Sequence, residues 1–228
     1  MSWIRAELFA AQDLSYRNFQ GPLLPTVDQA RMIGVRVPVL RKLATAWKGT
    51  PEAEAFLRTV PHDYYEEDML HALLLNTILD YDRCVAGIQQ FLPYVDNWTV
   101  CDSLRPKCFA PNRDKLLKEI PAWLASAHPY AVRFGLEMLM VHFLEDAFRP
   151  EFLEWAAAVR SEAYYVRMMQ AWFFAEALSK QYETAVVYMQ ERRLDPWVHR
   201  KTIQKAVESH KVSEERKQEL KSLRGNEK

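Results

Sequence analysis

Four short strings recur along the chain at nearly constant spacing: Trp98-Thr99-Val100-Cys101, Tyr130-Ala131-Val132-Arg133, Tyr164-Tyr165-Val166-Arg167 and Trp197-Val198-His199-Arg200. Their starts lie 32, 34 and 33 residues apart, and a further step of 33 back from Trp98 reaches Tyr65. Such a period marks a repeat architecture, in which one supersecondary unit cannot bury its apolar face alone and stacks on its neighbours. It constrains the fold more tightly than any single motif in the chain.

Each string follows a helix-start signal: Asp96 ahead of Trp98, His128-Pro129 ahead of Tyr130, Ser161 ahead of Tyr164 and Asp195-Pro196 ahead of Trp197. Asp and Ser accept the unpaired N–H groups of a first turn, and Pro suits the first helical position. A second helical run follows, as in Pro150 to Val159 and Gln181 to Arg192, with apolar residues every three or four positions. The unit is therefore a helical hairpin. The chain is expected to be all-α, a right-handed solenoid of HEAT- or armadillo-like repeats with a concave binding face. The other possibility is a non-repetitive helical bundle with accidental aromatic spacing.

Composition agrees with helix: only six glycines occur in 228 residues, with 49% apolar and 26% charged residues. We expect one domain, residues 1–228: an irregular N-terminal capping region over 1–60, containing Pro22 and Pro25, then tandem repeats over 61–210. A charged C-terminal helix and tail, 211–228, completes it. Three cysteines with no C-x-x-C pair suggest neither a disulfide framework nor a zinc site. No run approaches the ~20 apolar residues of a membrane span, and Met1 to Leu14 lacks the apolar core of a signal peptide. A reducing cytoplasm is the expected location. Zero net charge argues against a nucleic-acid coat held by bulk positive charge, but leaves room for a local basic face.

If every string opens its helix in the same orientation, offsets of zero, three, four and eight from the leading aromatic lie at roughly 0°, −60°, 40° and 80° around the axis. Trp98, Arg133, Asp102 and Trp172 hold those offsets, so the four converge on one side of the stack. Arg167 and Arg200 repeat the place of Arg133. A row of Arg beside two indoles and a carboxylate is expensive to bury unpaired, so an exposed groove is expected, with the guanidinium groups suited to phosphate. Taken singly, each tryptophan reads first as packing. Asp102 reads as a residue favoured near a helix start, and the arginines as salt-bridge partners of Glu137, Glu162 or Glu208. Glu66-Glu67-Asp68 is expected to be solvated helix-start charge. No H-E-x-x-H, Gly-rich phosphate loop or G-x-S-x-G is present, so metal, nucleotide-cofactor and serine-hydrolase chemistry drop out.

Together these residues resemble the AlkD-like DNA alkylation repair family, bacterial DNA glycosylases built of HEAT-like repeats. The similarity runs from Ile33-Gly34-Val35-Arg36-Val37-Pro38-Val39-Leu40-Arg41 through Asn97-Trp98-Thr99-Val100-Cys101-Asp102-Ser103 to the segments around Arg133, Trp172 and Trp197-Val198-His199-Arg200. The resemblance implies a concave cleft in which Trp98, Asp102 and Trp172 are catalytic and Arg133 binds DNA, with Arg167 and Arg200 extending the phosphate track. It implies excision of cationic alkylated purines such as N3-methyladenine and N7-methylguanine from double-stranded DNA, without a base-flipping pocket, cofactor or metal. A monomer, associated with the nucleoid when bound, fits this picture. One departure stands out: Pro25 falls near the place where the family carries an aromatic that reaches DNA, with Tyr16 and Phe19 displaced. The alternative is a non-catalytic HEAT-like module that binds DNA or a protein through its concave face.

Overall fold

The computed structural model describes residues 2–225, and every regular element among them is helical. The chain forms two compact units, Met1–Arg113 and Asp114–Lys228. No helix among the described residues is long and apolar enough to cross a membrane.

The first unit contains α1 (Ser2–Ala10), α2 (Leu14–Gln20), α3 (Val37–Trp47), α4 (Pro51–Leu57), α5 (Tyr65–Leu75), α6 (Tyr81–Phe91) and α7 (Trp98–Ser103). Helix α5 is its axis: it packs against α3 and α7, with α4 and α6 also laid on it. All eleven residues of α5 are buried, as expected of a helix covered on every side.

That burial corrects the reading of Glu66-Glu67-Asp68 as solvated charge. Glu66 accepts the backbone N–H groups of Ile33 (2.8 Å), Gly34 (2.7 Å) and Val35 (3.3 Å). Glu67 takes Arg5 at 3.0 Å, and Asp68 takes Arg31 at 3.0 Å. Each carboxylate has donors, which is what allows burial. Burial pushes the Glu66 carboxyl up despite the three N–H groups that favour its charge. The Ile33-Gly34-Val35 stretch is thereby fixed in place. Its glycine is required there: φ is +97°, and a Cβ would stand 2.6 Å from the Asp13 carbonyl oxygen.

The second unit is carried by α8 (Arg113–Leu124), α9 (Pro129–His142), α10 (Glu151–Ala158), α11 (Tyr164–Lys180), α12 (Tyr182–Gln190), α13 (Pro196–Glu208) and α14 (Glu214–Leu223). Helix α11 is flanked by α9 and α13, while α10 and α12 pack on it and α14 packs on α12 and α13. This is the stacking of hairpins that the 33-residue period anticipates. The leading aromatics open α5, α7 and α11 at Tyr65, Trp98 and Tyr164. Helices α9 and α13 start one residue earlier, at Pro129 and Pro196.

Two of the helix-start assignments change. Asn97, not Asp96, caps α7 by accepting the Val100 N–H at 3.0 Å, while Asp96 is occupied by Arg31. Ser161 accepts the N–H of Ala163, the residue that precedes α11. Asp195 caps α13 as expected, accepting from Trp197 and Val198. The expected charged helix is α14, and the tail from residue 226 onward lies outside the described residues.

Candidate functional site

Trp98 and Asp102 lie one turn apart on α7, hence on the same face of that helix. Both are half-buried. The indole is held from two directions. Its backbone opens the helix under the Asn97 cap, and its Nε1–H donates to the Leu23 carbonyl at 3.2 Å. The other end of α7 is tied to α5 by Asn76, which donates to the Ser103 carbonyl at 2.6 Å and accepts the Arg105 N–H at 2.7 Å. The Asp102 carbonyl takes the Arg105 Nε–H at 3.2 Å. A helix of six residues would not hold its shape alone. Its termini do so through Asn97 and Asn76, neither of which the sequence reading singled out. Asn97 could have been found, since Asn ahead of a helical string is a common cap. The role of Asn76 has no local signal.

In the second unit Trp172, half-buried on α11, lines a cavity of about 270 Å³ with Met140, Ala175, Glu176, Lys205 and Ser209. Burial works against the Glu176 charge, but Lys211 at 2.7 Å and Lys180 at 3.2 Å hold its carboxyl below the usual range. Glu176 follows Trp172 by four residues, the spacing that joins Asp102 to Trp98, and the sequence reading passed over it.

The expected row of exposed arginines is corrected at Arg133, which is 1% exposed. Its guanidinium donates to the Tyr165 carbonyl at 2.6 Å and lies 5.4 Å from the Trp172 ring centre. Burial is tolerable because the charge has an acceptor and a π face. Arg167 is half-buried, paired with Asp195 at 2.7 Å and Glu162 at 3.5 Å, and stands 4.9 Å from the Trp197 ring centre. Arg200 is half-buried on α13. The first two arginines thus join one repeat to the next. Glu162, named among the possible partners, does meet Arg167.

The repeat stack, with its indoles and arginines at fixed places, meets an independent comparison here. The model of a family described as DNA alkylation repair enzyme matches residues 4–206. The chain belongs to that family. A search of curated proteins returned no match. The match of this DNA alkylation repair enzyme starts within α1 and ends within α13, so it takes in Trp98, Asp102, Arg133, Trp172, Arg167 and Arg200. Helix α14 lies beyond it.

Proposed function

We propose that this DNA alkylation repair enzyme is an N-glycosylase that hydrolyses the glycosidic bond of cationic purines, of the N3-methyladenine and N7-methylguanine type, in double-stranded DNA. The observation that carries the reading is the Trp98–Asp102 pair, half-buried and one turn apart on a helix anchored at both ends. Alkylation at N3 or N7 makes the purine a cationic leaving group, so no strong general acid and no cofactor are needed. As the C1′–N bond breaks, its electron pair neutralises the purine ring and the sugar gains oxocarbenium character. The Asp102 carboxylate stabilises that charge and orients the water whose oxygen bonds to C1′ while its proton passes to the carboxylate or to solvent. Trp98, beside Asp102, offers its indole face to the cationic nucleotide. Arg200 supplies positive charge for the backbone, whereas the buried Arg133 serves by holding Trp172 in place and Arg167 is paired with Asp195 and Glu162. The enzyme acts as a monomer.

The test is release of 7-methylguanine from methylated duplex DNA. Asp102→Asn should lower the single-turnover rate by about 100-fold, the scale for losing one preorganised electrostatic contact. Equal release by both proteins would remove Asp102 from the mechanism. No release by either, with DNA binding retained, would replace the glycosylase reading by that of a binding module.

A further inference from the structure

The arginine at the fourth place of each downstream string has a structural task in the first two cases. Arg133 reaches Tyr165 and Trp172 of the following repeat, and Arg167 reaches Asp195 and Trp197. Arg200 occupies the same place in α13. It lines instead a cavity of about 100 Å³ with Arg192, Arg224, His199, Leu194 and Gly225, and no carboxylate is among the lining residues. The three arginines come from separate places: the turn after α12, helix α13 and the end of α14.

The cavity is a built feature. His199 is buried, and its Nε2 lies 2.9 Å from the Leu223 carbonyl oxygen. A carbonyl only accepts, so Nε2 carries the proton and ties the end of α14 to α13. Arg192 adopts φ +52°, uncommon outside glycine. Gly225 has φ +78°, and a Cβ there would stand 3.2 Å from Arg192 Nη2. The absent side chain leaves the guanidinium its place against the backbone. The volume is several times the ~10–15 Å³ that one water requires, which suits a polyatomic anion.

We propose that this cavity seats a backbone phosphate of duplex DNA. A carboxylate offers its two oxygens in one plane, the geometry that a single planar guanidinium fork matches. A tetrahedral phosphate presents oxygens in several directions, which donors from three chain segments can meet. The surrounding stretch, Arg192 to Arg224, holds ten Lys and Arg against five Asp and Glu, although the whole chain has zero net charge. Arg224 and Gly225 lie beyond residue 206, where the family match ends. The choice of DNA as the source of the phosphate rests on the DNA repair assignment, while the site itself is independent of glycosylase chemistry.

The experiment measures the affinity of the full chain for an undamaged, fluorescently labelled duplex as salt is raised. Arg192→Ala with Arg224→Ala should reduce the slope of log affinity against log salt by about 0.9, the share of one phosphate contact. Arg192→Lys with Arg224→Lys should keep most of it. Should the alanine pair melt early, Arg192→Gln with Arg224→Gln gives the same comparison in a bulkier side chain. A slope identical to that of the parent overturns the proposal. A second arm titrates inorganic phosphate with ³¹P NMR detection. Phosphate binding lost in the variants without any change in the duplex slope would mean that the cavity takes free phosphate, and it too overturns the DNA assignment. Failure of the parent to release 7-methylguanine, with the slope difference intact, would sink the glycosylase reading and leave this site standing.

Discussion

The two compact units place opposite charges at the same step of the repeat. Counted three residues from the leading aromatic, the first unit has Asp68 in α5 and the second has Arg133 in α9 and Arg167 in α11. Asp68 and Arg133 are both buried, and their neighbours differ in kind. Burial pushes the Asp68 carboxyl up to about 8, with Arg31 opposing and Asp96 adding to the rise. Arg133 meets a carbonyl and an indole. In the first unit, buried carboxylates gather backbone N–H groups and arginines from the N-terminal segment. In the second, buried or half-buried arginines bind aromatic rings and acceptors of the next repeat. A stacked repeat accommodates a buried charge of either sign, provided that a neighbouring segment brings the complementary group.

The largest expected effect tests the first unit. Glu66→Ala strands three buried N–H groups and should cost about 3 kcal/mol or more in urea denaturation. A loss below about 1 kcal/mol would mean that residues 33–35 are held by something else, and the contrast between the units would weaken. Next in size is a pH effect, also located in the first unit. His62 Nε2 and His71 Nδ1 lie 2.8 Å apart, with the rings stacked on Phe56 and Phe91. Burial lowers the pKa of both histidines below the ordinary value. At these two positions the unfolded chain therefore binds more protons than the folded one once the pH drops below ~6.5, while the raised Asp68 carboxyl acts in the opposite sense. The stability that each imidazole contributes above that value is lost as the pH falls, by about 2 kcal/mol per ring between pH 7 and 5. Replacing both histidines by leucine should flatten the dependence, and an unaltered slope would place the titration elsewhere. The smallest effect probes the second unit: Arg133→Met should cost about 1 kcal/mol through the stranded Tyr165 carbonyl. It should also shift Trp172 emission, seen as the difference from a Trp172→Phe background. Unchanged emission would show that Arg133 does not hold the indole.

Much of this architecture was legible because stacking imposes a period that side chains must respect. The aromatic at each string marks the start of a helix in every case, whereas the cap chemistry was read correctly at Asp195 and missed at Asn97. Among the functional candidates, spacing alone put Trp98 and Asp102 on one face of α7. The burial of Arg133 was not legible. Its offset is shared with Arg167 and Arg200, and nothing in the string distinguishes a guanidinium that finds a carbonyl from one that lines a cavity. Glu66, Glu67 and Asp68 misled for the same reason: three acids in a first turn match a solvated helix start as well as they match three buried anchors.

The sequence by itself determined that the chain folds into helical hairpins, where the helices of its repeats begin and which residues share a face, because these follow from local periodicity and from the identity of first-turn residues. Only the tertiary structure decided which charges are buried and which line a cavity. That choice depends on whether a segment 30 or more residues away, as Tyr165 is from Arg133 and Ile33 from Glu66, brings a hydrogen-bonding partner to replace water.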